Sequence, residues 1–305
     1  MMNTKVVFIA GMGRSGSTVL DRWLGANEGF HSLGEVMAVW GDGVTGNHFC
    51  SCRIPFGACP FWDEVRGLDA EIFSDEVTRL MISVHTRIDS VRRLFPLWFE
   101  PYRTRLLATV PARYFDVLRR FYFAVSAVSQ AQVLVDSTKN PGYLFLLDQV
   151  PEVRTAVVHL VRDSRAVTYS LSRVKKYSAT ENEQTQMARY GPLQASGYWL
   201  AMNVLAQRII GGREHVRARY EEFVQQPDDL TDRVCDILGV QRVLNPAIPT
   251  YHVLGGNPSR FDQALPALTL DREWARGLSR WGTFVTTSAT WPWLLAYGYP
   301  IRPRR

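Results

Sequence analysis

The sequence has no long apolar run. No stretch of its 305 residues offers about 18 consecutive apolar side chains, the length that a membrane-spanning helix needs. The apolar run near the N-terminus, Val6–Ala10, is also too short for the hydrophobic region of a signal peptide. We therefore expect a cytoplasmic protein that makes no stable membrane insertion.

Charged residues are scarce as well, at 21% of the chain, whereas 46% of the residues are hydrophobic. A chain of this composition and length can bury a large core, so a disordered protein is excluded and an enzyme-like globular body is expected. The formal net charge of +6 favours anionic ligands, but a surplus this small does not indicate nucleic-acid binding. No repeat divides the chain, and we expect one domain over residues 1–305, with nothing that indicates its oligomeric state.

Only four cysteines occur, and three of them lie together in HFCSCRIPFGACPFW. Cys50, Cys52 and Cys59 with His48 would supply a Cys3His zinc site, but C-x-C followed by a six-residue gap is not a usual zinc spacing. A disulfide between Cys52 and Cys59 would close a short loop in an oxidising compartment. We favour reduced structural thiols and predict no metal site.

The N-terminal region predicts a strand, a glycine turn and a helix. Lys5–Ala10 is a β-branched apolar run typical of a buried strand, and Thr18–Gly25 carries apolar residues at helical spacing. Between them stands GMGRSGST, Gly11–Thr18, called the glycine loop below. It has the Walker pattern G-x-x-x-x-G-K-[ST], but with Ser17 in the place of the lysine.

The missing lysine limits what the glycine loop can bind. A Walker lysine supplies the point charge that reaches a triphosphate tail, whereas the backbone amides at the helix start still form an anion site. Arg14 adds a fork of donors inside the loop. We expect a ligand whose 5′ phosphate bears one more tetrahedral anion, bound by Arg14, Ser15, Gly16, Ser17 and Thr18.

Three further apolar runs predict strands at Gln132–Val135, Thr155–Val161 and His215–Tyr220. Helical segments separate these runs. The pattern predicts an α/β fold with a mainly parallel central sheet and helices on both faces.

Residues 41–130, approximately, are expected to form a helical and aromatic insertion. Helices are predicted at Asp75–Leu94 and at Ala112–Ser129. The segment Leu94–Tyr102, LFPLWFEPY, is predicted to belong to the core or to a buried loop, although a run this aromatic is also where an acceptor pocket should be sought.

A second anion site is predicted in HLVRDSRAVTYSLSR. Arg162 stands at the end of a predicted strand and Ser170 lies two turns into the helix that follows. The arginine can make a bidentate contact to a phosphate, and the serine adds a hydroxyl donor. The alternative is a surface ion pair of Arg162 with Asp163 or Glu221. Because nucleotides bind at the carboxyl edge of open parallel sheets, we expect Arg162 to lie near the glycine loop.

These segments resemble the sulfotransferases that use 3′-phosphoadenosine 5′-phosphosulfate (PAPS). GMGRSGSTVL resembles their 5′-phosphosulfate loop, and VRDSRAVTYS resembles their 3′-phosphate motif. The resemblance covers most of the chain and is closest to the branch of tyrosylprotein and bacterial carbohydrate-type sulfotransferases. It implies the P-loop nucleotide-kinase-like sulfotransferase fold, PAPS as donor, 3′,5′-adenosine bisphosphate as product and no metal requirement.

The resemblance also implies functional residues. A catalytic glutamate follows the loop arginine of that branch by a fixed interval, and Glu35 stands at this interval from Arg14. Lys139 in DSTKNP matches the lysine that assists the leaving group. Further donor contacts are implied in YEEFVQQP and in the closing segment GGNPSRF, at Tyr220, Asn257 and Arg260.

The expected chemistry is in-line sulfuryl transfer, which depends on positioning and fixed charges. Glu35 would take the proton of the acceptor hydroxyl, while Lys139 and Arg14 would stabilise the developing charge. His31 is a second candidate for the base, and His159, between apolar neighbours on a strand, is predicted to be a core histidine.

Two alternatives remain open. A metal-dependent P-loop kinase would use Asp136, at the end of VLVD, for magnesium, but would be expected to keep the Walker lysine. A non-catalytic nucleotide-binding protein would keep both anion sites and would not need Glu35. For the sulfotransferase, the expected acceptor is a small hydroxylated molecule, a carbohydrate or a lipid, and the aromatic segment favours one with an apolar portion.

Overall fold

The computed structural model describes residues 4–173, 176–180, 184–186, 188–243, 251–262, 264 and 268–302. The strands in this part of the chain are β1 (Thr4–Gly11), β2 (Phe30–Gly34), β3 (Val133–Lys139), β4 (Val153–Val161), β5 (Lys176–Ser178), β6 (Gln184–Gln186) and β7 (His215–Arg219). Five of them form a parallel sheet in the order β2, β3, β1, β4, β7. Strands β5 and β6 pair separately as an antiparallel hairpin.

Helices lie in the connections between the strands of the parallel sheet. None of the described helices combines the length and apolar character needed to cross a membrane. The α-helices are α1 (Ser17–Gly25), α2 (Pro60–Leu68), α3 (Asp75–His85), α4 (Val91–Leu94), α5 (Glu100–Thr109), α6 (Ala112–Ser129), α7 (Pro141–Leu147), α8 (Ser164–Ser172), α9 (Pro192–Ile210), α10 (Tyr220–Gln225), α11 (Pro227–Leu238), α12 (Trp274–Gly277) and α13 (Arg280–Ala296).

Strand β1 lies at the centre of the sheet and is buried on both faces. Successive side chains of a strand point to opposite faces. Val6 and Phe8 accordingly pack into the core under α2, α3, α6 and α7, whereas Val7 and Ile9 pack under α1, α10 and α11. This two-sided covering confirms the predicted α/β fold with a mainly parallel sheet and helices on both faces.

Four of the five sheet strands were predictable as apolar runs. The runs at Lys5–Ala10 and Thr155–Val161 are confirmed as parts of β1 and β4. Those at Gln132–Val135 and His215–Tyr220 overlap β3 and β7, but Gln132 precedes β3 and Tyr220 begins α10. Strand β2 was not predicted, because its sequence FHSLG is short and places His31 and Ser32 between its apolar residues.

The connection between β2 and β3 contains the predicted helical region. Helix α6 has the predicted bounds Ala112–Ser129. The single helix predicted over Asp75–Leu94 is wrong, because α3 ends at His85 and α4 begins at Val91. The residues between them include threonine, aspartate and serine, which favour turns and helix caps over helix interiors.

The aromatic segment Leu94–Tyr102 is only partly core. Leu94 and Leu97 are buried in the core that covers one face of the sheet. The core prediction is wrong for three neighbouring aromatic side chains, which are exposed because they stand on the outer side of this short helical segment: Phe95, Trp98 and Phe99.

Candidate active site

The carboxyl ends of four parallel strands meet at one edge of the sheet. Gly11 ends β1, Gly34 ends β2, Lys139 ends β3, and Arg162 directly follows β4. Ligands of open α/β sheets bind in the crevice outside these strand ends. The residues predicted to bind the donor therefore lie at or near neighbouring strand ends.

The glycine loop joins β1 to α1 through backbone that favours glycine. Gly16 caps α1 at a φ of 94°, in the left-handed region. A Cβ atom at this residue would lie 2.3 Å from Cδ2 of Tyr220, so the tyrosine ring packs directly on the loop. Ser15 is 1% exposed, and its Oγ has no hydrogen-bond partner among the described residues. A buried hydroxyl of this kind fits a loop that holds an anion.

Arg162 connects the end of β4 to this loop. Its Nη1 donates to the carbonyl oxygen of Arg14 at 3.2 Å, and its guanidinium carbon lies 4.5 Å from the centre of the Tyr220 ring. Burial and the charge of Arg162 lower the pKa of Arg14 from its ordinary value. Arg14, Arg162 and Tyr220 thus form one cationic and aromatic wall.

The ion-pair partner of Arg162 is neither of the two considered from the sequence. Its Nη2 donates to Oδ2 of Asp271 at 2.8 Å. Asp163 instead pairs with Arg165 at 2.7 Å, and Glu221 accepts a hydrogen bond from the Tyr299 hydroxyl. The pairing with Asp163 or Glu221 is therefore wrong, because both carboxylates are occupied elsewhere.

Helix α8 carries the other predicted member of the second anion site. The buried Asp163 caps the helix by accepting from the backbone N–H of Arg165 at 2.9 Å. Ser170 lies half-buried in the second turn. The hydrogen bonds of the described residues do not join Ser170 to Arg162.

Glu35 and Lys139 meet beside the glycine loop. Oε1 of Glu35 lies 2.6 Å from Nζ of Lys139, which also donates to the carbonyl oxygen of Ser137 at 2.7 Å. The side chains of Glu35 and Lys139 are 29% and 13% exposed. Lys139 has a φ of 68°, an uncommon value for a residue with a side chain. An acid and an ammonium group from two strand ends are thus held in contact at the sheet edge.

The C-terminal segment Tyr251–Phe261 covers this pair. The N–H of Glu35 donates to the carbonyl oxygen of Leu254, and a Cβ atom at Gly256 would lie 3.0 Å from Oε1 of Glu35. Four predicted site residues line one narrow cleft here: Thr18, Glu35, Asn257 and Arg260.

Two further charged residues in this cleft, Asp21 and Arg22, were not predicted from the sequence. Asp21 is 2% exposed and accepts a hydrogen bond from Ser32, and burial raises its pKa to about 7. Arg22 donates to the carbonyl oxygen of Asp262 at 2.6 Å and so ties α1 to the covering segment. Their positions three and four residues after Thr18, on the same helical face, are the signal that could have found them.

Asp136 does not offer the magnesium ligand that a kinase would need. It is fully buried and accepts hydrogen bonds from the Tyr122 hydroxyl at 2.6 Å and the backbone N–H of Thr138 at 2.8 Å. Burial raises its pKa to about 6. The Asp136 carboxylate is therefore part of the hydrogen-bonded core of the protein.

Neither of the two histidines considered as the base lines the cleft. His159 is fully buried beside Asn203, with Nε2 and Oδ1 3.2 Å apart, which confirms the predicted core histidine. His31 stacks on Phe61 at 5.0 Å. Burial lowers the pKa of each histidine to about 4. Glu35, by contrast, lines the cleft.

Comparisons with known proteins bear on the family and the fold of the chain. A family model described as "Sulfotransferase family" matches residues 6–243. The sulfotransferase domain from the curacin biosynthetic pathway has a similar fold, with a TM-score of 0.53 at 16% identity over 98% of this chain and 100% of that chain. The sulfotransferase domain from the Synechococcus PCC 7002 olefin synthase aligns with a TM-score of 0.49 at 18% identity, over 98% and 97% of the two chains. No curated protein matches the chain.

Proposed function

The chain belongs to the sulfotransferase family, and from this premise we propose that it moves a sulfuryl group from PAPS to a hydroxyl group of a small-molecule, carbohydrate or lipid-like acceptor. The observation that carries the proposal is the contact of 2.6 Å between Glu35 and Lys139 at the sheet edge. Sulfuryl transfer to a hydroxyl group uses a base for the acceptor and a cation for the leaving group, and these two side chains supply one of each.

The glycine loop is the proposed site of the 5′-phosphosulfate. The N–H groups that begin α1 provide an anion site with the positive end of the helix dipole behind it. The buried hydroxyl groups of Ser15 and Ser17 and the half-buried Thr18 surround the same helix start. With Ser17 in the place of lysine, the loop suits two tetrahedral groups rather than a triphosphate.

Arg162 is the proposed ligand of the 3′-phosphate. It is 6% exposed, and its Nε has no hydrogen-bond partner among the residues that the structure describes. A guanidinium group held against Tyr220 can donate two parallel hydrogen bonds to a phosphate. Ser170 would add a hydroxyl donor from α8, and Asn257 and Arg260 would contact the donor from the covering segment.

In the proposed reaction the acceptor oxygen bonds to sulfur while the bond from sulfur to the bridging phosphate oxygen breaks. Glu35 accepts the proton of the acceptor hydroxyl. Lys139 stabilises the charge that develops on the bridging oxygen, and Arg14 stabilises the equatorial oxygens. The 3′,5′-adenosine bisphosphate then leaves, and the fixed cations supply the charge that a metal ion supplies in phosphoryl transfer.

The resting contact between Glu35 and Lys139 has to open during this cycle. While Oε1 of Glu35 accepts a hydrogen bond from Lys139 at 2.6 Å, this oxygen is less able to take the proton of a substrate hydroxyl group. A bound phosphosulfate would compete for the ammonium group. We therefore expect donor binding to draw Lys139 toward the bridging oxygen and to release Glu35 for the acceptor.

A label-transfer experiment tests the proposal. The purified chain is incubated with sulfur-labelled PAPS, a chelator of divalent metals and a panel of hydroxylated small molecules, sugars and lipids. The expected result is chelator-resistant label in an acceptor and the release of 3′,5′-adenosine bisphosphate. Transfer of phosphate from ATP that requires magnesium, with no sulfuryl transfer across the panel, would contradict it.

A further inference from the structure

Four side chains that can ligate a metal ion converge outside the donor cleft. Cys50, Cys52 and Cys59 lie on the loop that precedes α2 and at its start, here called the cysteine loop (residues 49–59). His252 comes from the covering segment, 193 residues beyond Cys59. The four ligand atoms all lie within 4.8 Å of one another. The chain folds back over a long distance to bring the imidazole to the thiols.

Three of the six distances between these atoms lie close to the edges of a coordination tetrahedron. Zn–S bonds of about 2.3 Å and Zn–N bonds of about 2.0 Å place two sulfurs about 3.8 Å apart and a sulfur and a nitrogen about 3.5 Å apart. The Sγ atoms of Cys52 and Cys59 are 3.6 Å apart. Nδ1 of His252 lies 3.7 Å from Sγ of Cys50 and 3.2 Å from Sγ of Cys59.

The surroundings hold the four groups as a metal site requires. Cys50 and Cys59 are fully buried, and the ring of His252 stacks on Phe61 with centroids 4.9 Å apart and planes 5° apart.

Two other uses of these residues fit the geometry less well. The cysteines are free, and a disulfide would bring two sulfurs to about 2.0 Å. His48, the histidine nearest in sequence, lies 3.9 Å from a carboxylate oxygen of Asp42 and is not in the cluster. Three thiols and one imidazole nitrogen are the donor set that zinc prefers in closed structural sites.

We propose that Cys50, Cys52, Cys59 and His252 bind one zinc ion in a closed structural Cys3His site. This replaces the structural thiols favoured from the sequence. All four positions of the tetrahedron are filled by the protein, so the ion has no open position for a substrate. The proposal does not depend on the chemistry of sulfuryl transfer.

The ion would join the cysteine loop to the segment that covers the active site. The two segments already pair, because the N–H of Ser51 donates to Val253 and the N–H of Val253 donates to Oγ of Ser51, each at 3.0 Å. The covering segment also contacts Glu35. The carbonyl oxygen of Leu254 accepts from the N–H of Glu35, and the backbone of Gly256 lies against the Glu35 carboxylate. Zinc would thus fix the backbone that packs against the proposed base.

Elemental analysis of the full chain, purified under reducing conditions, tests the proposal. We expect about one zinc ion per chain. His252→Ala and Cys52→Ser should weaken zinc binding by roughly 100-fold or more, because each removes a ligand. The matched controls His48→Ala and Cys235→Ala should keep the full zinc content, since neither side chain belongs to the cluster.

If an alanine or serine variant does not fold, cobalt substitution provides a second test that does not depend on removing a ligand. Tetrahedral cobalt bound by three thiolates and one imidazole gives intense visible absorption. His252→Cys should retain the metal and move this absorption to longer wavelength, because a fourth thiolate replaces the imidazole. Absence of zinc together with no binding of added zinc or cobalt would overturn the proposal, as would equal zinc loss in His48→Ala.

Discussion

At the scale of single residues, the account depends on the contact between Glu35 and Lys139. The two residues are 104 positions apart in the chain and meet because β2 and β3 are neighbours in the sheet. An ion pair that is partly buried contributes little net stability, because desolvation offsets much of the attraction. The catalytic role proposed for the pair gives a reason for such a contact at a strand end.

Replacing Glu35 by glutamine should separate catalysis from binding. Glutamine keeps the shape of the side chain but cannot accept a proton, so Glu35→Gln should lower turnover by about 10² to 10⁴-fold. Affinity for 3′,5′-adenosine bisphosphate should change little. Turnover is measured by label transfer and affinity by calorimetry, both on the same purified protein. Unchanged turnover would point to the non-catalytic nucleotide-binding alternative.

Asp271 should compete with the donor for Arg162. The two side chains are paired at 2.8 Å, and the aspartate side chain is 43% exposed. Asp271→Asn keeps an oxygen for the N–H of Glu273 but loses the charge, so the affinity for 3′,5′-adenosine bisphosphate should rise roughly two- to fivefold. Asp229→Asn changes the net charge equally at an exposed site and is the control. Equal effects of the two variants would contradict a specific competition.

Asp21 should make the folded chain less stable as the pH rises. Its pKa is raised by burial from 3.8 to about 7, so the folded chain holds this proton more tightly than the unfolded chain does. The stabilisation is complete below pH 3.8 and is lost as the pH rises through 7. In Asp21→Asn this loss is absent, so the Tm difference between the variant and the wild type should grow across that range. Parallel Tm curves would contradict the expectation.

At the scale of elements, the glycine loop depends on its contact with α10. The backbone of Gly16 has a φ of 94°, and the space for a Cβ atom is filled by the Tyr220 ring, which also contacts Arg162. The start of α10 therefore fixes the loop and the arginine at the same time.

Alanine substitutions at two glycines of the loop should differ sharply. Gly16→Ala should cost about 1–3 kcal/mol of stability from backbone strain, and the displaced ring should weaken donor binding. Gly13→Ala is the matched control, since nothing lies within 4 Å of its Cβ position. Thermal unfolding and calorimetry of both variants measure the difference. Similar losses in the two variants would show that the Tyr220 contact is not decisive.

The elements were predictable where periodicity was strong. Strands β1, β3, β4 and β7 follow from apolar runs, and α6 follows from a regular apolar spacing over its whole length. Strand β2 was missed because it is short and carries polar side chains. The break after His85 was missed because the hydrophobic pattern continues at Ile88, which is buried in the turn.

At the scale of the whole molecule, the candidate site is assembled by the sheet and closed by the C-terminal segment. The sheet edge was predictable, because residues that follow parallel strands meet there. The pairing of Arg162 with Asp271 was not, because it joins residues 109 positions apart without a local pattern. The same holds for His252, which reaches the cysteines only through the tertiary fold.

The central claim is that the glycine loop and Arg162 bind the two ends of a PAPS-type nucleotide. Calorimetric titration of the wild-type chain with 3′,5′-adenosine bisphosphate, beside ATP with magnesium, tests it most directly. The account predicts binding of the bisphosphate that is independent of divalent metal and weaker in Arg162→Ala. Preference for ATP with magnesium, or bisphosphate binding that Arg162→Ala leaves unchanged, would contradict it.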